Sequence, residues 1–282
     1  MMNMTTVNKK KFNPVNVLKW VYIAIIILLL YLPVIFIVIE SFNSSTIGYG
    51  FGDFTLDWYK QMFTKKGFKD AVFITFSITI LSTIISTVLG TLFAIGINSL
   101  SRRKKKNIIM LNNIPILNAD IVSAIFLFII FQTVGSIFGV KHPLGYTTLL
   151  LAHIFFSLPY VVLSVLPKLR EIDDNLFDAA LDLGCSPRRA LIKVIVPAVM
   201  GGIFSGAILA FTMSIDDFTI SYFVSGADIE NLSIWINNIR TVRYGKLQIA
   251  SAFYTIFTII MFVVLVVYNI LSSKRQAKKV SK

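Results

Sequence analysis

From Asp178 to Pro197 the chain reads D-A-A-L-D-L-G-C-S-P-R-R-A-L-I-K-V-I-V-P. This is a polar, helix-forming insert between two apolar runs of membrane length. Outward from it the sequence is a series of uncharged stretches: Trp20–Ile39, Ala71–Ser101, Ile121–Val140, His142–Pro167, Val194–Ile215 and Leu247–Ser273. At 1.5 Å rise per residue, about 20 residues cross a hydrocarbon core about 30 Å thick, so six crossings are expected. The composition agrees: 56% of the 282 residues are apolar, 15% are charged, and mean hydropathy is +0.77. A soluble domain carries about a quarter charged residues. The expected fold is an all-α polytopic membrane protein of six transmembrane helices. Its segments are residues 1–18, a helical domain over 19–272 with the insert at about 171–197, and a basic tail at 273–282.

The formal net charge of +13 invites a nucleic-acid reading, which its distribution removes. With the N-terminus inside and six crossings, 19 of the 27 Lys and Arg residues fall on the inner side and 8 on the outer. The inner set includes the block from Arg102 to Lys106 and the tail from Lys274. That asymmetry orients a multi-pass cell-membrane protein with both termini cytoplasmic. The first apolar run is too long for a signal-peptide core, and no small-residue cleavage site follows Glu40. Cys185 is alone, so no disulfide framework is expected. His142 and His153 are too few and scattered for a metal cage, and no cofactor is implied. There is neither a phosphate-binding G-x-x-x-x-G-K-[ST] loop nor a Ser–His–Asp arrangement, so the chain is expected to be no enzyme.

The third span is the irregular one. It starts near Ile108 and is interrupted by Asn112, Asn113, Pro115, Asn118 and Asp120. An ionisable residue at a helix centre costs roughly 2.5–3.5 kcal/mol on insertion scales. Asp120 therefore pairs with a neighbouring helix, lies near the outer interface, or lines a polar path.

Within the insert, Ile172, Leu176, Ala179, Ala180 and Leu183 recur at helical spacing and predict one apolar stripe from Glu171 to Leu191. Asp173 or Asp174 suits an N-cap, and Gly184 suits the left-handed residue that ends a helix. Ser186-Pro187 restarts the chain with an N-cap and a first-turn proline. The pattern is that of two short helices joined by a glycine turn. Ala179 and Ala180 allow close approach by a partner, and Arg188 and Arg189 suit its carboxylates. An amphipathic helix lying on lipid is the alternative. The acidic face of Asp173, Asp174, Asp178 and Asp182 opposes it, because anionic lipid repels such a face.

The insert resembles the E-A-A loop of binding-protein-dependent ABC transporter permeases: E-A-A, three residues, G, nine residues, I-x-L-P. Here Asp178-Ala179-Ala180 precedes Gly184 by three residues, and nine more lead to Val194-Ile195-Val196-Pro197. Asp replaces Glu, and Val replaces both Ile and Leu. Further stretches are similar to spermidine/putrescine permease subunits of the PotC type: S-F-N-S-S after the first span, F-T-L-D-W-Y at Phe54–Tyr59, N-A-D-I-V-S-A-I at Asn118–Ile125, F-S-L-P-Y-V-V at Phe156–Val162 and S-I-D-D-F at Ser214–Phe218. The resemblance implies a type I ABC importer permease fold with a cytoplasmic helix–turn–helix coupling loop. It also implies two ATPase subunits engaging that loop through Asp178, Ala179, Ala180, Gly184, Arg188 and Pro197. A second, related permease subunit, an extracytoplasmic substrate-binding protein and membrane lipid complete the implied partners; no nucleic acid is among them.

A polyamine is a flexible polycation, so its path needs spaced carboxylates and aromatic faces, each cation–π contact contributing about 0.5–2 kcal/mol. The candidates are Asp120, the adjacent Asp216 and Asp217, and Trp58 in the outer loop. Asp216-Asp217 also reads as a solvated helix end, and Trp58 as an interfacial aromatic. Related permeases for other solutes share the insert and the six spans. An ion-coupled secondary transporter would show paired broken helices, and only one broken region is evident. A non-transport scaffold or insertase leaves the Ala-Ala/Gly pattern unexplained.

Overall fold

The computed structural model describes residues 14–45, 50–173, 175–238 and 245–280. The expected N-terminal segment up to residue 13, Asp174 as a helix cap, and Arg240 and Arg243 lie outside the described residues. In order, the helices are α1 (Pro14–Glu40), α2 (Asp57–Thr64), α3 (Lys66–Asn98), α4 (Arg102–Asn112), α5 (Ile114–Leu117), α6 (Asp120–Ile137), α7 (Tyr146–Glu171), α8 (Leu176–Asp182) and α9 (Pro187–Ala190). A π-helical turn, Leu191–Ile195, leads into α10 (Val196–Ala198), α11 (Met200–Ile215), α12 (Thr219–Val224), α13 (Leu232–Asn237) and α14 (Lys246–Val280).

Five helices are long and apolar enough to cross a membrane, and the bent pair Pro187–Ala198 and Met200–Ile215 makes a sixth crossing when taken as one span. The fifth span is thus not one straight helix over Val194–Ile215, as its apolar run suggested. It bends by 72° at Val199 after the π turn. Elsewhere the helices overrun their apolar windows, as with α3 from Lys66 and α7 to Glu171. Hydropathy marks the lipid-facing part of a helix, whereas backbone hydrogen bonding continues into the polar flanks.

The described residues form two compact units, those within 1–64 and 240–282 and those within 65–239. In the first, α1 leaves apolar side chains such as Trp20, Leu29 and Leu30 exposed, as lipid contact requires. The loop after α1 is knitted by its own polar groups. Asn43 Oδ1 accepts from the backbone N–H of Ser45 at 3.0 Å and of Gly52 at 2.8 Å. Gln248 Nε2 of α14 donates to Glu40 Oε1 and to the carbonyl of Ser45, both at 2.8 Å.

The second unit is built on α3, α7 and α11. Gly202, Gly206, Ala210 and Ser214 recur every four residues and are the buried positions of α11. This small ridge lets the α11 backbone lie against α7: a Cβ on Gly206 would stand 3.0 Å from Val161 Cα. Small residues at such crossings are how membrane helices gain packing contact when lipid is as apolar as leucine. Around the crossing, Ala94, Val161, Val162, Val165, Leu166, Val199 and Ala210 form one buried cluster, and Ile172, Leu176 and Phe177 pack against it. A second cluster, with Ile78, Leu149, Phe156 and Ile220, lies around α3, α6, α7 and α12.

Candidate functional site

Two features of the second unit carry functional chemistry: the polar insert, and a small cavity lined by residues of α5, α6, α7, α11 and α12.

The insert folds as a helix–turn–helix. Gly184 has φ +85°, its N–H donates to Leu181 O at 2.8 Å, and the N–H of Cys185 donates to Ala180 O at 3.1 Å. This pair of bonds is the Schellman motif, with glycine at the left-handed position expected of it. Details of the sequence reading are corrected. The helix does not run continuously from Glu171: α7 ends there, and α8 begins at Leu176 with Asn175 in the N-cap position. Asp173 shapes the break instead, its Oδ1 accepting from the N–H of Asn175 at 2.9 Å. Ser186 takes the N-cap backbone conformation before Pro187, but its side chain makes no capping bond. The break also divides the expected stripe. Leu176, Phe177 and Ala180 turn inward, while Ala179 is exposed and Leu183 is 87% exposed.

The outward face of the insert therefore carries Asp178, Ala179, Leu183, Gly184 and Arg188, all exposed. Pro197 is exposed on α10, beyond the π turn. A large exposed leucine thus stands beside an exposed glycine turn and an exposed alanine. Beneath the insert lies a cavity of about 260 Å³, bounded by Asn98 at the end of α3 and Ser99 after it, Phe177 and Asp178 of α8, and Leu191 and Ile195.

The small cavity, about 50 Å³, is lined by Pro115, Asp120, Ser123, Phe156, Tyr160, Met213, Asp217 and Ile220. Two of the carboxylates expected on a polar path, Asp120 and Asp217, thus border one space with two aromatic rings. Asp120 is the first residue of α6, freed by the break after α5, and it is exposed. Asp217 sits in the turn between α11 and α12 with a side chain only 9% exposed. Its Oδ2 accepts from the N–H of Ser221 at 2.8 Å and its Oδ1 from that of Ile220 at 3.3 Å, so the carboxylate caps α12. Asp216 is not among the lining residues; it is exposed, and its carbonyl accepts from Ser233 Oγ at 3.4 Å. Trp58 belongs to the first unit, where it is buried and its indole N–H donates to Asn43 O at 2.7 Å. The ring of Trp58 holds that loop: a Cβ on Gly245 would stand 2.5 Å from it.

Sequence reasoning passed over His153, which holds the cavity wall together. It is 1% exposed, with Nδ1 2.7 Å from Ser214 Oγ and Nε2 3.0 Å from Ser221 Oγ. Nε2 also lies 3.8 Å from Asp217 Oδ2. Asn231 Nδ2 donates to Ser221 Oγ at 2.8 Å and to Asp217 O at 3.1 Å, and Ser214 Oγ reaches Ser82 Oγ at 3.1 Å. One imidazole joins α7 to both sides of the turn that carries Asp217. The signal was present as a lone histidine in a strongly apolar helix, where a buried polar group requires partners.

A family model described as "Binding-protein-dependent transport system inner membrane component" matches residues 86–280. The chain is 31% identical over 245 residues to the spermidine/putrescine transport system permease protein PotC of Haemophilus influenzae, covering 87% of this chain and 92% of that protein. It is 30% identical to PotC of Escherichia coli K12, covering 86% of this chain and 89% of that protein. Identity to the putrescine transport system permease protein PotI of that strain is also 30%, over 77% of this chain and 76% of that one. Among solved structures, a chain of a bacterial ABC transporter involved in import of the acidic polysaccharide alginate shares the fold, with TM-score 0.64 at 15% identity over 92% of this chain and 95% of that one.

Proposed function

The chain belongs to the family of binding-protein-dependent transport system inner membrane components, and from that premise we propose that it carries a polyamine, spermidine or putrescine, across the membrane. It is a multi-pass permease component of an ABC importer, and that membership sets aside an ion-coupled secondary transporter and an insertase. The polyamine assignment rests on one observation: Asp120 and Asp217 border the same cavity with Phe156 and Tyr160. Two carboxylates and two aromatic rings suit an alkylammonium group, which donates charge-assisted hydrogen bonds to the acids and makes cation–π contact with the rings. A space of about 50 Å³ admits one ammonium end at a time, so the substrate passes as a chain led by its terminal amine. The relatives named for spermidine and putrescine support the same substrate class.

In this reading the outward face of the insert docks two ATPase subunits on the cytoplasmic side, with both termini on that side as the charge asymmetry requires. A second, related permease subunit faces the exposed Asp120, and an extracytoplasmic binding protein delivers substrate. The proposed segments are a cytoplasmic segment at residues 1–18, the helical domain over 19–272 and a basic tail at 273–282. Trp58 supports the outer loop in this scheme, and Asp216 offers a further exposed carboxylate next to Asp217 in sequence. Nucleotide-driven closure then alternates the helices between two arrangements.

The test is uptake of labelled spermidine by the reconstituted complex carrying Asp120→Asn or Asp217→Asn. Asn keeps one acceptor for the α12 cap while removing the charge. Loss of one charged hydrogen bond of about 1.5–3 kcal/mol lowers uptake roughly 10- to 150-fold. Wild-type spermidine uptake in both variants, with assembly intact, would refute the assignment.

A further inference from the structure

At the end of the second unit that carries the insert, Arg102, Arg103, Lys105 and Lys106 of α4 meet Arg170 of α7 around a cavity of about 770 Å³, with Ile109 as its apolar wall. An excess of basic residues on one side of a membrane requires only that they lie in that flank. It does not require a residue 64 positions beyond Lys106 to converge with them on one space. Nor does the cluster serve the helix, since cations in a first turn oppose the helix dipole and α4 has no acidic residue there. Arg102, Arg103, Lys106 and Arg170 are exposed and enter no ion pair among the described residues. Lys105 is half-buried, its Nζ donating to Asn98 Oδ1 at 2.6 Å.

We propose that this cavity is a binding site for the phosphate headgroup of an anionic phospholipid from the leaflet on that side of the membrane. Lipid fits better than an acidic protein segment because the chain turns apolar directly after the cations. Met110, Leu111, Ile114 and Leu117 are all exposed, Leu117 by 79%. They begin about 6 Å further along the helix axis than Lys106. A charged pocket running directly into an exposed apolar surface matches a molecule with a phosphate at one end and acyl chains at the other. Three arginines favour phosphate, which their planar guanidinium groups grip in bidentate fashion. The bound lipid joins α4, the first part of the broken third span, to the end of α7 next to the insert.

The experiment compares the assembled transporter in nanodiscs of phosphatidylcholine alone with nanodiscs of phosphatidylcholine and phosphatidylglycerol, reading retained lipid by native mass spectrometry. One variant carries Arg102→Gln, Arg103→Gln and Arg170→Gln. A second, Lys19→Gln, Lys104→Gln and Lys193→Gln, removes the same charge from exposed positions outside the cavity. Wild type and the second variant retain phosphatidylglycerol in preference to phosphatidylcholine. In the first variant its affinity falls on the order of 100-fold, from roughly fivefold per cation. Equal loss in the two variants would mean diffuse surface attraction and overturn the site. So would the absence of a preference for phosphatidylglycerol. Capture of an ATPase subunit instead of lipid by a photocrosslinker at position 103 would assign the cavity to a protein and overturn it too.

Discussion

Gly184 is where a small backbone change separates coupling from folding. Its φ of +85° lies in the left-handed region, and no non-glycine residue has positive φ among the described residues. A Cβ placed there meets nothing within 4 Å, so side-chain bulk costs nothing and the effect of substitution is conformational alone. Gly184→Ala costs about 1–2 kcal/mol for holding an L-residue left-handed, which depopulates the native turn roughly 5- to 30-fold relative to its alternatives. Gly184→Asn costs less, because Asn tolerates this conformation. Gly184→Pro is the severe case. Proline fixes φ near −65° and removes the N–H that donates to Leu181 O at 2.8 Å. It also disfavours the helical conformation of Leu183, at φ −78° and ψ 9°. The total is about 3 kcal/mol or more.

The turn at Leu183 and Gly184 is exposed, and the insert meets the buried cluster through Leu176 and Phe177 instead, so none of these changes should reduce the amount of protein in the membrane. The expected order of spermidine uptake, and of ATPase activity stimulated by loaded binding protein, is Gly, then Asn, then Ala, then Pro, with Pro inactive. Membrane levels are measured alongside by immunoblot. Full uptake by the proline variant, or an Asn variant worse than Pro, would show that the left-handed turn is not what couples this loop to its motor.

Other substitutions separate the roles of neighbouring residues. Ala179 is exposed and Ala180 is only 7% exposed, so Ala179→Trp should abolish ATPase coupling in a normally folded chain, whereas Ala180→Trp should lower folded yield; size-exclusion profiles distinguish the two. Gly202→Ala places a Cβ 2.8 Å from Ser164 O and should destabilise the unit by about 1–3 kcal/mol in thermal unfolding. Gly201→Ala meets nothing within 4 Å and should be neutral or slightly stabilising through helix propensity of about 1 kcal/mol. His153→Phe keeps an aromatic ring but takes one hydrogen-bond partner from each of two buried hydroxyls, which retain Ser82 and Asn231, so it should cost about 1–3 kcal/mol and depress uptake more than it depresses assembly.

The spans and the glycine turn were legible in the sequence because each depends on local signals, an apolar run in one case and a residue type that alone tolerates positive φ in the other. The pairing of Asp120 with Asp217 was not. It depends on where α5 breaks from α6 and on how the turn after Ile215 is tied down by Ser221 and Asn231, both long-range outcomes. The bend at Val199 was hidden because a run of Val, Ile, Pro and Ala looks equally apolar whether straight or kinked. The ridge of Gly202, Gly206, Ala210 and Ser214 was visible as a four-residue period of small side chains, but a hydropathy reading scores size not at all. Trp58 was left with two readings for a related reason. An aromatic in an outer loop resembles a ligand contact until its N–H is seen to be spent on Asn43 O.

The insert and the cavity stand at opposite ends of α11, and this connection gives the small-residue ridge its mechanical meaning. The chain leaves the insert through the π turn, bends by 72° at Val199, and then runs as one unbroken helix of 16 residues to Ile215, about 24 Å. Along that length its glycines hold it against α7 at backbone distance, so it has little freedom to flex independently of α7. At its far end Ser214 is bonded to His153 of α7, and the next turn carries Asp217. A displacement applied at the insert therefore has two places to be absorbed, the bend at Val199 and the turn after Ile215, and both are irregular segments rather than helix. The far turn is clamped by buried hydrogen bonds through His153, Ser221 and Asn231, and at the bend Val199 is itself buried in the cluster shared with α7. With both restrained, α7 and α11 form one packed pair that runs from the insert to the turn carrying Asp217.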